Sequence, residues 1–412
     1  MRAKDPRDPS VDGMKHESGS FFSDKDVVFI TLSDWEGPRR IRHHLADALA
    51  RRGNRVLFVE AFYSLSKFLK APDLGRFFRF LGPTREPEKN LFLCPMFPFL
   101  PLGEFISIVS RLNWMAARFL IRRRMATLGF RNVVLVIFAY NADPLVGRLG
   151  EGISVYFCND AFDKLYRPEF LRRRVVSLER RLIRKVDAVI TVSEPLTEER
   201  APFAKRISTV HHGVDYELFD QTLRSPAAPE EFELIKRPIL GYSGVIRHII
   251  DLELIAHLAS QRPDWSVVLV GPVTESDARY YAHVEALKRM QNVHFLGARP
   301  SREIPRYVGQ FDVCLLPYVL DEVSTYYNAP LKFYEYLAAG KPVISTVGPR
   351  GLEESVVIPA TTKESFVKAV EKGLGMTSPA QVARRKEEAR RNSWGTRVDE
   401  IAEFLSTVPG KA

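Results

Sequence analysis

The chain has 412 residues, 45% hydrophobic and 27% charged, a globular balance in a length that calls for two cores rather than one. Its formal charge of +10 favours anionic partners without choosing among phosphorylated ligands, nucleic acid and an acidic membrane surface. Cys94, Cys158 and Cys314 stand far apart in apolar company, with neither CxxC spacing nor an even count. That pattern excludes a disulfide framework and a zinc site and fits a reducing cytoplasm.

Residues 1–25 open on "MRAKDPRDPSVDGMKHESGS", which lacks the apolar core of a signal peptide, and are expected to form a disordered tail. No segment reaches the roughly 18 uninterrupted apolar residues of a spanning helix. "DVVFITLS" then predicts a strand, "RRIRHHLADALARRG" a helix that Gly53 closes, and "NRVLFVEA" a second strand. From 66 to 130 there are 11 Lys/Arg against 4 Asp/Glu, so something anionic is expected near this half of the chain. Alternation resumes with "NVVLVIFAY", "GISVYFCND", a long helix through "RRRVVSLERRLIRKV", then "DAVITVS" and "RISTVHHG". Strands apolar nearly throughout imply a parallel sheet covered on both faces, here a first domain at 26–220.

"DQTLRSPAAPEEFELIKRP" replaces the periodic pattern with proline, alanine and charge, and residues 221–237 read as a linker. Alternation restarts with "PILGYSG" and runs through "WSVVLVGP", "VHFLGA", "FDVCLLPY" and "KPVISTVG", predicting a second domain at 238–390. The last helix, "SWGTRVDEIAEFLSTV", carries Trp394, Val398, Ile401 and Phe404 at helical spacing with no strand after it. Residues 391–412 are therefore expected to pack back across the domain boundary. The fold class is α/β, two doubly wound Rossmann-like domains whose strands' carboxyl ends enclose a cleft.

Phosphate recognition is the chemistry best supported by the residues. Each domain's first strand ends in a glycine turn, "SDWEGPRR" and "GYSGVIRH", whose amides can hold phosphate oxygens while Arg247 adds a bidentate contact. Either loop alone is also ordinary turn geometry. "NAPLKFYEYLAAGKPVIS" is more specific: Asn328 and Pro330 mark a helix start, and Lys332 in the first turn opposes the helix dipole unless an anion sits there. Glu335, about one turn deeper, can accept from ribose hydroxyls. The alternative is a solvated Lys332–Glu335 pair at i,i+3, against which the apolar "LPY" and "YLAAG" on either side argue.

Asp160 ends an apolar strand and suits a general base, a charge-stabilising group or a simple helix cap. One of His43 and His44 should face the sheet, and His211–His212 should shape backbone; no arrangement suggests a metal site. In residues 66–82, Phe68, Phe77 and Phe78 interleave with Arg76 and Arg79, a pattern for contact with an anionic membrane surface, although a core-edge loop is the plainer alternative. "RFLIRRRM" reads as a solvated helix face.

Taken together, "DAVITVSEPL", "VHHGVDYELF", "ILGYSGVI", "VVLVGPV", "NVHFLGARP", "FDVCLLPY" and "NAPLKFYEYLAAGKPVIS", in this order, resemble the GT-B nucleotide-sugar glycosyltransferases. The match is to bacterial members of glycosyltransferase family 4 that act in cell-surface polysaccharide or teichuronic-acid assembly. The resemblance implies a donor site in which Gly241, Gly244, Arg247, Pro330, Leu331 and Lys332 face the diphosphate, Glu335 binds the ribose, Tyr327 and Asn328 also line the donor, and Arg299 belongs to the segment flanking the base. It implies an acceptor site at Trp35, Gly37, Arg39, Asp160 and Ser193, with Asp160, Arg247 and Lys332 carrying catalysis. Members carry two glutamates eight positions apart; Glu335 is the second, but Tyr327 stands at the first, which leaves the donor sugar open.

The expected activity is transfer of a hexose-type unit from a nucleotide diphosphate sugar to a lipid-linked or surface-glycan acceptor, retaining and independent of metal or cofactor. The expected setting is the inner face of the plasma membrane. Alternatives are an epimerase or phosphorylase on the same fold, a catalytically impaired relative, and, least supported, a basic nucleic-acid-binding protein, which needs a stripe of exposed stacking aromatics.

Overall fold

The computed structural model describes residues 21–37, 39–64, 74–100, 106–166, 168–224, 227–274, 277–320, 327, 330–348, 352 and 356–410. Phe68, Asn328 and most of the expected tail lie outside the described residues, as do the side chains of Arg76 and Phe77.

The first sheet is built from β1 (Asp26–Ile30), α1 (Ile41–Arg51), β2 (Val56–Ser64), α2 (Leu74–Leu81), β3 (Arg85–Glu88), β4 (Leu91–Phe99), α3 (Ser107–Thr127), β5 (Val133–Ile137), β6 (Glu151–Cys158), α4 (Glu169–Lys185), β7 (Ala188–Thr191), α5 (Glu194–Arg200) and β8 (Ile207–Thr209). Its strand order is β3-β4-β2-β1-β5-β6-β7-β8, parallel except for the β3–β4 pair. Central β1 is buried along its whole length, with Val27 opposite Val56 on one side and Val134 on the other. Continuous apolar runs form such strands because helices cover both faces.

The second sheet follows from α6 (Tyr216–Arg224), β9 (Ile239–Ser243), α7 (Leu252–Gln261), β10 (Ser266–Val270), α8 (Ala278–Lys288), β11 (Val293–Gly297), α9 (Ile304–Gly309), β12 (Val313–Leu316), α10 (Lys332–Ala338), β13 (Val343–Ser345), β14 (Val357–Pro359), α11 (Lys363–Leu374), α12 (Pro379–Arg391) and α13 (Trp394–Ser406). Its order is β11-β10-β9-β12-β13-β14, all parallel. Two separate cores result, the two doubly wound domains expected from the alternation.

Two features depart from expectation. β3 and β4 were not foreseen, because Pro95 and Pro98 within "LFLCPMFPF" remove ladder donors and disguise a strand. Exposed, charged "REPE" makes β3 a short edge that discourages further pairing. The chain also leaves the first domain earlier than residue 220: Val210 packs in the first core, but Val214 and Phe219 already belong to the second, as does Phe232 of the expected linker.

The return crossing lies beside the first. Val214 N donates to Asn392 O at 3.0 Å and Trp394 N to Val214 O at 3.1 Å. Gly213 makes this approach possible, since a Cβ there would stand 3.0 Å from the Trp394 ring. From this junction α13 carries Trp394, Val398, Ile401 and Leu405 into the first core, while Phe404 is only partly buried. His44 stacks on Trp394 at 5.2 Å and 6°, and Arg52 pairs with Asp399 at 2.5 Å. Trp394→Ala should lower stability by about 3–5 kcal/mol in urea denaturation; a loss below about 1 kcal/mol would mean that helix docking does not depend on this ring.

Candidate active site in the interdomain cleft

On the second domain the carboxyl end of β9 and the start of α10 are tied together. Ser243 N donates to Tyr336 Oη at 2.9 Å, and the next residue, Gly244, has φ +149° and donates its N–H to Val270 O at 2.7 Å. A Cβ on Gly244 would lie 2.4 Å from Lys332 Cε, so only glycine lets the lysine lie across this turn. Lys332 Nζ reaches Glu335 Oε2 at 3.2 Å, the i,i+3 pair that the sequence left open. An ammonium has three donors, and this bond takes one. Both side chains are largely enclosed, at 22% and 18% exposure.

Tyr318, Glu335 and Arg247 share this corner. Burial and then the Glu335 charge push the Tyr318 phenol up, against the field of Arg247. Arg247 itself is exposed, its backbone carbonyl accepting from Tyr280 Oη at 2.6 Å.

On the first domain the loop after β1 is a packed turn. Trp35 N donates to Glu60 Oε1 at 2.8 Å, Gly37 N donates to Asp34 O at 3.2 Å, and the Trp35 indole packs edge-on to Phe58. Arg39 lies over the Trp35 ring and is bonded to Asp47. His43 is fully buried: Nδ1 accepts from Arg40 N at 3.0 Å, and Nε2 lies 3.1 Å from Asp34 O, which makes Nε2 the protonated nitrogen. Burial holds its pKa down at about 4, so it stays neutral and structural.

Asp160 follows β6, and its Oδ1 accepts from Ala161 N at 2.9 Å, while the short helix that follows is capped at Ala161 without a side-chain bond, so Asp160 is not its cap. Burial raises its pKa, while the charges of Arg247, Arg40 and Arg42 pull it back. Arg247 comes from the other domain, so the two sheets' carboxyl ends do face each other here.

Several expected site residues have other occupations. Gly241 lies inside β9 rather than in the turn, and a Cβ there would come within 2.1 Å of the Phe311 ring, so this glycine makes room for the core. Arg299 is held by Tyr307 Oη and Glu231 Oε1, each at 2.6 Å, which anchors the linker segment. Pro330 O accepts from Phe333 N, and Leu331 is the N-cap of α10, so the helix begins two residues later than Pro330.

Tyr327 is 3% exposed and packs in the first domain's core, not against the donor corner. Its hydroxyl donates to Glu199 Oε1, and its carbonyl accepts from the buried Ser193 Oγ at 3.1 Å. Burial and Glu199 push its pKa up to about 12, so it remains a donor. Behind it Glu199 Oε2 bonds Arg200, whose guanidinium approaches Glu179 at 3.4 Å and Asp163 at 3.5 Å. Ser193 and Tyr327, expected on opposite substrates, thus meet each other.

Among the described residues no group of three His, Cys, Asp or Glu gathers to hold a metal ion, and no helix is long and apolar enough to cross a membrane. A cavity of about 1760 Å³ lies between α1, the segment before β1 and α13, where Arg52–Asp399 and Arg55–Asp26 already pair. Arg40 and Arg42, Tyr318, Tyr336 and Glu199 were not singled out in the sequence. For the arginines a signal existed: they crowd the start of α1, whose first turn holds no acid.

A family model described as "Glycosyl transferases group 1" matches residues 243–375, the span from the end of β9 through α11. TuaH of Bacillus subtilis (strain 168), a protein named for teichuronic acid biosynthesis and glycosyl transfer, is 27% identical over 376 residues, covering 80% of this chain and 91% of its own. A solved E. coli trehalose-6-phosphate structure bound with UDP-2-fluoro glucose superposes with a TM-score of 0.66 at 11% identity, over 94% of this chain and 100% of that one. Anabaena Alr3699/HepE in complex with UDP superposes at 0.62 with 15% identity, over 93% and 100%.

Proposed function

Because this chain is a glycosyltransferase of the GT-B fold, we propose that it moves a hexose-type sugar from a nucleotide diphosphate donor to a lipid-linked or surface-glycan acceptor. The carrying observation is the convergence of Gly244, Lys332, Glu335 and Arg247 at the end of the second sheet, opposite Asp160 at the end of the first. Lys332 and Arg247 grip the diphosphate and stabilise the charge that develops on it as the glycosidic bond breaks. Glu335 accepts from the ribose hydroxyls, and the reaction is retaining and metal-independent. The nucleotides held by two structural neighbours support the donor class, and the name of TuaH supports the acceptor class. Tyr327, engaged with Glu199 where relatives carry a glutamate, favours a second reading, a donor-binding relative with impaired transfer.

Contact with the inner face of the plasma membrane is part of the proposal. On α3, Ile108, Leu112, Met115 and Phe119 form an exposed stripe at helical spacing, while Trp114, Ala117, Ile121 and Met125 are buried opposite. A helix apolar on two faces needs a second apolar neighbour. Arg111, Arg118, Arg122 and Arg123 flank the stripe, and the helix contains no acidic residue. Arg124 binds Phe80 O at 3.0 Å and Gly82 O at 2.8 Å, fixing α2 and its exposed Phe78 to α3. The stripe includes Phe119 of the stretch that the sequence assigned to solvent.

A thermal-shift panel of UDP-, GDP-, ADP- and dTDP-sugars should show stabilisation by one base, lost in Lys332→Ala and Glu335→Ala; indifference to every nucleotide would end the donor reading. Stabilisation by a nucleotide sugar with no release of nucleoside diphosphate would favour the impaired relative. The rate of transfer should fall on the acid side through a pKa above the ordinary 3.8 of an aspartate, because burial raises Asp160 and only its ionised form serves. Asp160→Asn should lose about 10²–10⁴ in rate together with that limb, and an unchanged profile would remove Asp160 from the chemistry. In co-sedimentation, wild type should pellet with anionic liposomes and a Phe78→Ser/Phe119→Ser variant should stay in the supernatant; equal partition would refute the membrane surface.

A further inference from the structure

Arg42 stands in the first turn of α1, 5% exposed, with no acidic residue in that turn to offset the helix dipole. It makes no ion pair and no hydrogen bond to the described residues, and its Nε is sealed from solvent without a partner. The Phe138 ring, 5.7 Å from the guanidinium carbon, is its nearest compensation. Burial holds its pKa down at about 10, with Arg40 lowering it further and Asp160 alone raising it. Buried arginines are ordinarily paired, as Arg200 is here with Glu179 and Arg397 with Glu400.

Two more side chains at the same edge of the sheet lack partners. Asn141, just beyond β5, and Asn159, just beyond β6, each carry a sealed Oδ1 with no hydrogen bond. Phe138, under the Arg42 guanidinium, lies three residues before Asn141, and Asn159 adjoins Asp160, whose charge reaches Arg42. Arg40 and Arg247 add positive charge around the same carboxylate. The local field is therefore cationic, and a guanidinium offers the forked donors that match a carboxylate or phosphate.

Resting on the transferase reading above, we propose that Arg42 receives an oxyanion on the acceptor while the unpartnered Oδ1 atoms of Asn141 and Asn159 accept from its hydroxyls, so that the enzyme selects a charged sugar over a neutral one. Asp160 would then meet a hydroxyl of an acceptor already anchored through its charge. Carboxylate and phosphate share this chemistry, and probes separate them.

Glucose, glucuronate and glucose 6-phosphate are titrated calorimetrically into wild type, Arg42→Gln and Arg42→Lys, each with and without saturating UDP. At least one charged sugar should bind wild type about tenfold or more tightly than glucose, a typical gain for a charge-assisted contact. In Arg42→Gln that preference should fall to about unity, with Arg42→Lys between, and the tighter charged sugar identifies the group recognised. UDP affinity reads the other domain and should be unchanged in both variants. Should Arg42→Gln lose UDP binding through misfolding, Arg42→Lys carries the comparison. Equal or absent binding of all three sugars by wild type overturns the proposal, as does a charge preference that survives Arg42→Gln. Failure of wild type to bind UDP, GDP, ADP and dTDP alike instead overturns the donor reading, while the arms without nucleotide still report on Arg42.

Discussion

The pairing of the two chain crossings, Val214 against Asn392 and Trp394, is the constraint on which the rest depends. Each domain has its own sheet and core, so nothing in either sheet dictates how its carboxyl edge faces the other. The crossings and α13 supply that information. Trp394 enters the first core at the point where the second crossing ends, His44 covers its face, and Gly213 lets the two backbones touch. The cleft is thus positioned from its rear, and Arg247 and Asp160 sense each other's charge across it.

Charge held against a helix dipole recurs at both edges of that cleft. Lys332 on α10 and Arg42 on α1 are cations in first turns, enclosed by protein, where an anion would relieve the conflict. They differ in their surroundings. Lys332 has Glu335 one turn away and a glycine beneath it, whereas Arg42 has only an aromatic ring. In the proposed reading the difference suits two kinds of ligand, a mobile diphosphate that must leave after reaction and an acceptor group that needs only to be held.

Much of this was legible in the chain. Apolar strands alternating with helices identified two parallel sheets, the apolar spacing of α13 predicted its return, and the dipole argument singled out Lys332. The same argument applies to "GPRRIRH", but a run of arginines reads as solvated surface until burial is known. Other features depend on partners distant in sequence. Gly241 is required by Phe311, Arg299 by Glu231, and the early crossing by the way Phe219 finds the second core. Proline hid β4 because its cost to a ladder is ordinarily decisive, whereas here burial of Leu91, Leu93 and Met96 outweighs it.

Tyr327 has a consequence beyond packing. Its hydroxyl and carbonyl are both committed to the first domain, to Glu199 and Ser193, only three residues before the turn that leads into Lys332. The segment that leads into Lys332 is therefore leashed to the first domain. Separating the domains must break those two bonds, and any ligand that favours their contact shares its binding free energy with them. Thermodynamic reciprocity then requires that occupancy of one half of the cleft tighten the other by the same factor. A tyrosine in this place ties the start of α10 to the position of the first domain.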